Sequence, residues 1–241
     1  MQLSEVFTQL ASSELAQTNY VDTTTGLILP TKYVPLVSHV NLGLVALYKR
    51  FPLKENRVTI ALQAGRLTYP INTQEDVEMT VEAGAEDFDD DILKIEHVYT
   101  DAGYEVSLND AADMYSCMTP SMSTLRVPIE LASKLPDTPE YLLTDSLEVV
   151  YRAKHPVISI TNNFNPAKVT VELPYSHLEP LIWFIASRIH NPIEMTSINA
   201  RVHTANTYAI KYEQACQQLE LVNLRVDQGS QNNRLHSNGW V

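Results

Sequence analysis

Hydrophobic residues near both ends of the chain recur at three- and four-residue intervals, the spacing of amphipathic helices. This pattern predicts a first helix over 2–17 and a second over 32–50. One amphipathic stripe of the second helix comprises Val34, Val37, Asn41, Leu44, Tyr48 and Phe51, at steps of three and four. At 174 the helical period returns, and Ser176 with Glu179 fits a capping box. A last helix is predicted over about 203–226, with a seam of Tyr208, Tyr212, Ala215, Leu219, Val222 and Val226.

Between the helical ends, the hydrophobic period changes to two. Val58, Ile60 and Leu62 alternate with polar or small residues, and seven of the thirteen prolines lie between 120 and 174. Short strands with frequent breakers indicate a small β-sandwich or barrel. Strand-like segments follow at 92–99, 104–108, 124–127, 147–151, 157–160 and 169–173.

The predicted fold class is therefore α+β, with three parts. Residues 1–56 and 174–226 form a helical bundle, 57–173 form an inserted β-domain, and 227–241 form an extended C-terminal arm. The arm is rich in Gln, Asn, Ser and Gly, so it cannot bury a core of its own. We expect the bundle core to contain Val34, Leu44, Phe51, Trp183, Phe184, Tyr212 and Leu219.

The composition excludes several classes of protein. With 241 residues, 44% hydrophobic and 19% charged, the chain is neither disordered nor fibrous. No apolar run approaches the ~18 residues that span a bilayer, and the N-terminus lacks the pattern of a signal peptide. Cys117 and Cys216 are far apart and match no metal or disulfide framework, so we expect reduced structural cysteines.

The net charge of −12 comes from one region of the sequence. The segment 75–113 holds fourteen Asp or Glu residues and one basic residue, Lys94, whereas the remainder holds 16 basic and 15 acidic residues. A chain with this charge is poorly suited to gripping phosphates, because that requires clustered Lys and Arg. We expect this acidic stretch to repel DNA rather than bind it.

Signatures of catalysis and ligand binding are mostly missing. Asp87, Asp89 and Asp91 resemble the start of a calcium loop, but Ile92 and Val98 stand where such a loop needs Gly and Glu. A solvated acidic loop is the favoured interpretation, and a calcium site is the alternative. The chain has no HExxH, CxxC, GxSxG, SxxK, GxGxxG or P-loop motif. We predict no enzyme activity, no metal and no cofactor.

Trp240 is the most informative single residue. It lies outside any helical period, in a polar segment. One interpretation is that the tail folds back onto its own domain. The other is that Trp240 anchors the chain to another protein, since buried aromatic side chains dominate many interfaces.

Four stretches of the chain together form a recognisable pattern. They are residues 39–54; 172–175 with 182–188; 208, 211–213, 216 and 219–220; and 227–232 with 238–241. They resemble, in order, the second, third and fourth helices and the tail of the head-to-tail adaptor (connector) proteins of short-tailed bacteriophages, the podoviruses. The segment 57–171 resembles that family mainly in architecture.

This resemblance implies a structural protein of the virion neck, made in the cytoplasm of the bacterial host. Such proteins form a ring, usually of twelve copies, beneath the portal protein and above the tail tube or nozzle protein. The genome passes through the channel without specific binding, and no membrane is involved. With such a channel, we expect the acidic stretch 75–113 to line or rim it, or to face outward, without binding DNA. The resemblance also implies that the C-terminal segment docks into the portal, through Gln228, Asn232, Arg234, Leu235, Trp240 and Val241.

Two other functions remain open from the sequence. A monomeric ligand-binding module predicts an exposed apolar or aromatic groove on the β-domain. A hydrolase predicts a deep pocket with carboxylates or histidines of shifted pKa.

Overall fold

The computed structural model describes residues 1–74, 77–81, 88–133, 138–190 and 207–222. The chain divides into two compact units. Unit 1 contains Met1–Leu47 and the described residues from Val157 onward, and unit 2 is Tyr48–Pro156. Helices and antiparallel sheets are both present, which confirms the α+β class. Along the sequence, the boundaries between the units fall at 47/48 and 156/157, whereas the sequence pattern predicts them at 56/57 and 173/174.

Helix α1 spans Leu3–Ser12, shorter than the predicted 2–17. Its buried side chains are Leu3, Val6, Phe7, Leu10 and Ala11. The hydroxyl of Ser12 donates to the carbonyl of Thr8 at 2.9 Å, and that of Ser13 donates to Gln9 at 2.6 Å. Such bonds compete with backbone pairing and favour helix ends. Leu15 is fully buried beyond the helix end.

Helix α2 spans Tyr33–Arg50 and follows a 3₁₀ turn, Pro30–Lys32. Its buried face comprises Leu36, Val37, Val40, Gly43, Leu44 and Leu47 in unit 1. The prediction that Val34 belongs to the core is wrong, because this side chain is 64% exposed. At 100° per residue, Val34 lies about 120° around the helix from the centre of the buried face.

Helix α4 spans Leu178–Ile189 and packs closely against α2. A Cβ atom on Gly43 would lie 2.6 Å from Cδ1 of Leu181 and 3.0 Å from Cδ1 of Phe184. The predicted capping box is wrong. Ser176 lies inside a 3₁₀ turn, Tyr175–His177, and the N-cap residue is His177 without a side-chain cap. Phe184 is buried as predicted, whereas Trp183 is only half-buried.

Helix α5 covers 207–222, within the predicted 203–226; residues 203–206 and 223–226 lie outside the described residues. Cys216 is fully buried, and Tyr208, Tyr212, Ala215 and Leu219 are half-buried. Val222 is exposed, which contradicts its predicted place in the seam. The ring contacts of α5 with α4 involve Tyr208 and Tyr212, in its first half.

Unit 2 contains two antiparallel sheets. The five-stranded sheet has the order β3-β1-β8-β4-β5, and the three-stranded sheet has the order β2-β7-β6. The strands are β1 (Glu55–Ala61), β2 (Thr68–Pro70), β3 (Met79–Thr80), β4 (Ile92–Thr100), β5 (Glu105–Val106), β6 (Met118–Ser121), β7 (Thr124–Arg126) and β8 (Ser146–Ala153). A short helix, α3, covers Ile129–Ala132.

One hydrophobic cluster of unit 2 contains side chains from both sheets. Val58, Val98 and Val149 come from the five-stranded sheet, and Tyr69 and Leu125 come from the three-stranded sheet. All five side chains are at most 1% exposed. Phe51, predicted for the helical core, is buried but belongs to unit 2.

Two predicted strands have no counterpart in a sheet. Residues 157–160 and 169–173 lie in unit 1 without regular strand pairing. The side chain of Asn41 in α2 donates to the carbonyl of Ile158 at 2.9 Å and accepts from its N–H at 3.0 Å. The Asn41 amide therefore forms the two backbone hydrogen bonds of Ile158 that a neighbouring strand would otherwise provide. Thr170 forms one isolated bridge, with Gln2.

Candidate functional site

The predicted portal-docking residues Gln228, Asn232, Arg234, Leu235, Trp240 and Val241 lie outside the described residues. The same holds for 75–76 and 82–87 in the acidic stretch. The candidate sites are therefore surfaces and side-chain clusters that the described residues of each unit form.

The outward face of α2 in unit 1 is uncharged. Between Lys32 and Lys49 the sequence has no Asp, Glu, Lys or Arg. On the outward face, Val34 is 64% exposed and Leu42 is 52% exposed, and Ser38 lies between them. A surface helix of a monomeric protein ordinarily carries charged residues on its outer face, so this face has the character of a contact surface.

The contact between α4 and α5 contains a cluster of aromatic and cationic side chains. Trp183 stacks on Tyr208 with ring centroids 5.7 Å apart, and Nζ of Lys211 lies 4.2 Å from the Trp183 centroid. The indole N–H of Trp183 donates to Oε1 of Glu179 at 3.3 Å. These side chains contact one another, so the cluster holds α5 against α4 rather than forming an open ligand site.

Burial shifts the pKa values of a tyrosine and two histidines in unit 1. Burial, with the hydrogen bond and charge of Glu14, raises the pKa of Tyr208 to about 12. Burial, with the nearby positive charge of Arg188, lowers the pKa of His39, and burial lowers the pKa of His177. Both histidines are therefore favoured in their neutral form at pH 7.

The described end of the acidic loop is built into unit 2 by hydrogen bonds. Oδ1 of Asp91 accepts from the hydroxyl of Tyr151 at 2.9 Å, and Oδ2 accepts from the amide of Asn56 at 3.2 Å. Oδ1 of Asp90 accepts from the N–H of Thr73 at 2.8 Å. These carboxylates already have protein donors, which weakens the calcium alternative and gives them a structural role.

Metal ligands and reactive thiols give no further site. Among the described residues, no group of three or more His, Cys, Asp and Glu side chains could hold a metal ion. Burial raises the pKa of the Cys117 thiol to about 12, so this thiol is far from the thiolate form that reacts. Cys216 is buried in α5.

Unit 1 has a small pocket of about 200 Å³. Ligand sites for drug-sized molecules are typically about 300–1,000 Å³, so this pocket suits at most a single side chain or a small fragment. The described residues that line it include no carboxylate and no histidine, unlike the pocket that a hydrolase predicts. They are Ser4, Phe7, Thr8, Ala11, Leu27, Ile28, Tyr33, Asn165, Pro166 and Ala167.

Unit 2 exposes a pair of tyrosines that the sequence analysis missed. Tyr104 and Tyr141 are 51% and 52% exposed, and their ring centroids lie 5.5 Å apart. Each tyrosine stands beside acidic residues, in a turn or 3₁₀ segment. The neighbouring acidic residues in the sequence could have indicated that these tyrosines are exposed. That the two rings lie close together depends on the pairing of strands in the sheet.

In the part of the chain that the structure describes, no helix is both long and apolar enough to cross a membrane. No protein-family model matches the chain, and no curated protein matches it with significant similarity.

Proposed function

We propose that this chain is a structural head-to-tail adaptor of a tailed-phage virion. Copies of the chain form a ring of twelve, which joins the portal to the tail tube or nozzle and lets the genome pass through its channel. In this proposal the helices of unit 1 form a bundle, unit 2 is an inserted β-sandwich, and residues 227–241 are the portal-docking arm. The resemblance of residues 39–54 to the second helix of such adaptors supports it.

The observation that carries the proposal is the uncharged outward face of α2. This face lies within unit 1, and its half-exposed Leu42 falls inside the segment that resembles the adaptor family. An outward helix face that lacks charge and exposes Val34 and Leu42 is suited to contact with another protein. A closed ring needs two different faces on each copy, and we assign the α2 face as one of them.

The acidic stretch is compatible with a channel through which DNA moves. Asp89 and Asp90 are exposed, as are Asp101 and Glu105 farther along. Carboxylates that face DNA repel its phosphates, so the genome would slide without adhering. Tight DNA binding by the purified protein at ~150 mM salt would contradict this part of the proposal.

The decisive experiment is a mass measurement of the native protein, alone and mixed with the portal ring of the same virus. We expect a complex that contains one portal ring and twelve copies of this chain. The Val34→Lys/Leu42→Lys variant should fold normally and fail to complete the ring, because charge on the α2 face opposes packing of neighbouring copies. Gln9→Lys, an exposed change on α1, is the matched control and should assemble normally.

A second arm of the experiment tests the C-terminal segment. Deletion of 228–241 should leave a folded protein that no longer joins the portal, because many weak arms on a ring act together. If the truncated protein unfolds, the tail belongs to its own core. A chain that stays monomeric beside an intact portal ring would overturn the adaptor proposal.

A monomeric binding module is the second candidate function. It is favoured by the exposed Tyr104 and Tyr141, since this alternative predicts an exposed aromatic surface on the β-domain. The mass measurement separates the two candidates, because a binding module stays monomeric under all the conditions above.

A further inference from the structure

We propose that unit 2 docks a protein segment that combines basic and apolar side chains. The docking surface, named here the tyrosine patch, consists of Tyr104, Tyr141 and Leu143. It lies in unit 2, so the inference does not rest on the adaptor proposal.

The first half of the patch is fixed by the turn between β4 and β5. The N–H of Thr100 donates to the carbonyl of Tyr104 at 2.8 Å, and the N–H of Tyr104 donates to the hydroxyl of Thr100 at 3.1 Å. Gly103 has φ +82°, a conformation that favours glycine. The turn therefore holds Tyr104 in a defined place although its side chain is exposed.

The second half belongs to the segment that leads into β8. Tyr141 lies in a 3₁₀ turn, Glu140–Leu142, and its neighbour Leu142 is buried. The hydroxyl of Thr144, which is buried, accepts from the N–H of Asp101 at 3.2 Å. This bond ties the two halves together, and the planes of the two tyrosine rings are inclined at 59°. The patch is thus preorganised, which lowers the entropy cost of binding.

All three side chains of the patch are exposed to a large extent. Both tyrosines are about half exposed, and Leu143 is 41% exposed. Among the described residues, none forms a hydrogen bond with either tyrosine hydroxyl. Tyrosine is enriched at the energetic centres of protein interfaces because it offers a large apolar face and a polar tip.

The charge around the patch identifies the chemistry of the partner. Asp101, Glu140 and Asp145 are exposed and adjoin it in sequence. Glu105 is also exposed, and its Oε1 lies 2.7 Å from Nδ1 of His97. Residues 98–125 and 138–151 contain no Lys or Arg. Arg or Lys side chains of a partner would face carboxylates and aromatic rings together, and both attract cations. DNA is disfavoured for the same reason, so the occupant is a protein segment.

The test uses the full-length protein and a labelled twelve-residue synthetic peptide in which Arg and Leu alternate. Fluorescence anisotropy at ~150 mM salt measures its affinity. We expect the Tyr104→Ser/Tyr141→Ser variant to bind the peptide at least about tenfold more weakly than the wild-type protein does. Met114→Ser/Met122→Ser, which removes two other exposed apolar side chains of unit 2, is the matched control and should bind normally. Thermal melting checks that each variant is folded.

Two further peptides separate specific docking from attraction by net charge. One replaces each Leu by Ser and the other replaces each Arg by Glu, and both should bind at least about tenfold more weakly. Equal binding of the Arg–Ser peptide, equal binding by the tyrosine variant, or no binding of the Arg–Leu peptide would each overturn the proposal. A wild-type dimer that the tyrosine variant abolishes would also overturn it, because the occupant would then be a second copy.

Discussion

Unit 1 and unit 2 expose apolar side chains in different ways. In unit 1, exposed Val34 and Leu42 lie on the outward face of a regular helix that has no charged side chain between Lys32 and Lys49. In unit 2, Tyr104 and Tyr141 lie in turns, and carboxylates adjoin them.

The difference between the units has a physical consequence for recognition. A long uncharged helix face can pack along another helix over several turns, which suits contact between copies of a folded chain. A small aromatic patch with a negative rim offers little area but strong selectivity for cations, which suits a short segment of a partner. The same chain thus contains two surfaces of different size and chemistry.

The largest effect should come from the core of unit 1. Phe184→Ala should lower the free energy of unfolding by about 3–5 kcal/mol, because it leaves a cavity at the contact of α4 with α2 and α5. Trp183→Ala should cost less than half as much, since Trp183 is half-buried. Chemical denaturation measures both values. A loss below ~1 kcal/mol for Phe184→Ala would show that the α2–α4 contact is assigned wrongly.

The next effect tests how closely α2 approaches α4. Alanine is the better helix former, but a Cβ atom on Gly43 would lie 2.6 Å from the side chain of Leu181. Gly43→Ala should therefore destabilise the protein by about 1–3 kcal/mol through overpacking. Leu42→Ala, one residue earlier on the exposed face, should change stability by at most about 0.5 kcal/mol. Denaturant titrations of the two variants provide the comparison; a stabilised Gly43→Ala protein would contradict it.

An effect of similar size is expected in unit 2, where a carboxylate has a structural role. Asp91→Ala should cost about 1–3 kcal/mol, because the Tyr151 hydroxyl and the Asn56 amide lose their acceptor. Asp89→Ala, an exposed neighbour, should be neutral within about 0.5 kcal/mol. Melting curves with and without Ca²⁺ complete the test. A stabilisation by Ca²⁺ that Asp91→Ala abolishes would restore the calcium hypothesis.

The smallest effect concerns pH and unit 1. The folded-state pKa values of His39 and His177 are lowered, so below about pH 6.5 the unfolded chain binds protons that the folded chain does not. Stability should therefore fall as pH falls from about 6.5. The His39→Gln/His177→Gln variant should flatten this dependence in denaturation experiments at pH 7.5 and 5.5. An equal slope in both proteins would assign the pH dependence to other groups.

Local patterns in the sequence determined most of the secondary structure. The 3.6-residue period predicted α2 with its boundaries nearly correct, and the two-residue period predicted β1, β4 and β8. These signals are reliable because each element buries one face, and burial imposes its period on the sequence. The missed strands β2, β3 and β6 have four residues or fewer. Strands β5 and β7 are as short but fall within predicted segments, so the period marks such short strands only in some cases.

The tertiary structure decided what the local period leaves open. Val34 has the spacing of a core residue, yet it is exposed because the buried face is centred elsewhere on the helix. Ile158 lies in a segment whose sequence predicts a strand. Its backbone N–H and carbonyl, however, form hydrogen bonds with the side chain of Asn41 and not with a partner strand. In both cases the outcome depends on which distant residue arrives beside the segment.

The candidate surfaces show the same division. The sequence by itself determined the charge asymmetry, the polar composition of 227–241 and the uncharged run in α2. Only the folded unit brings Tyr104 beside Tyr141 and gives Asp91 its donors. These pairs are far apart along the chain, and antiparallel pairing of β4 with β5 and β8 brings them together. Composition and period are properties of a segment, whereas a surface is a property of contacts between segments.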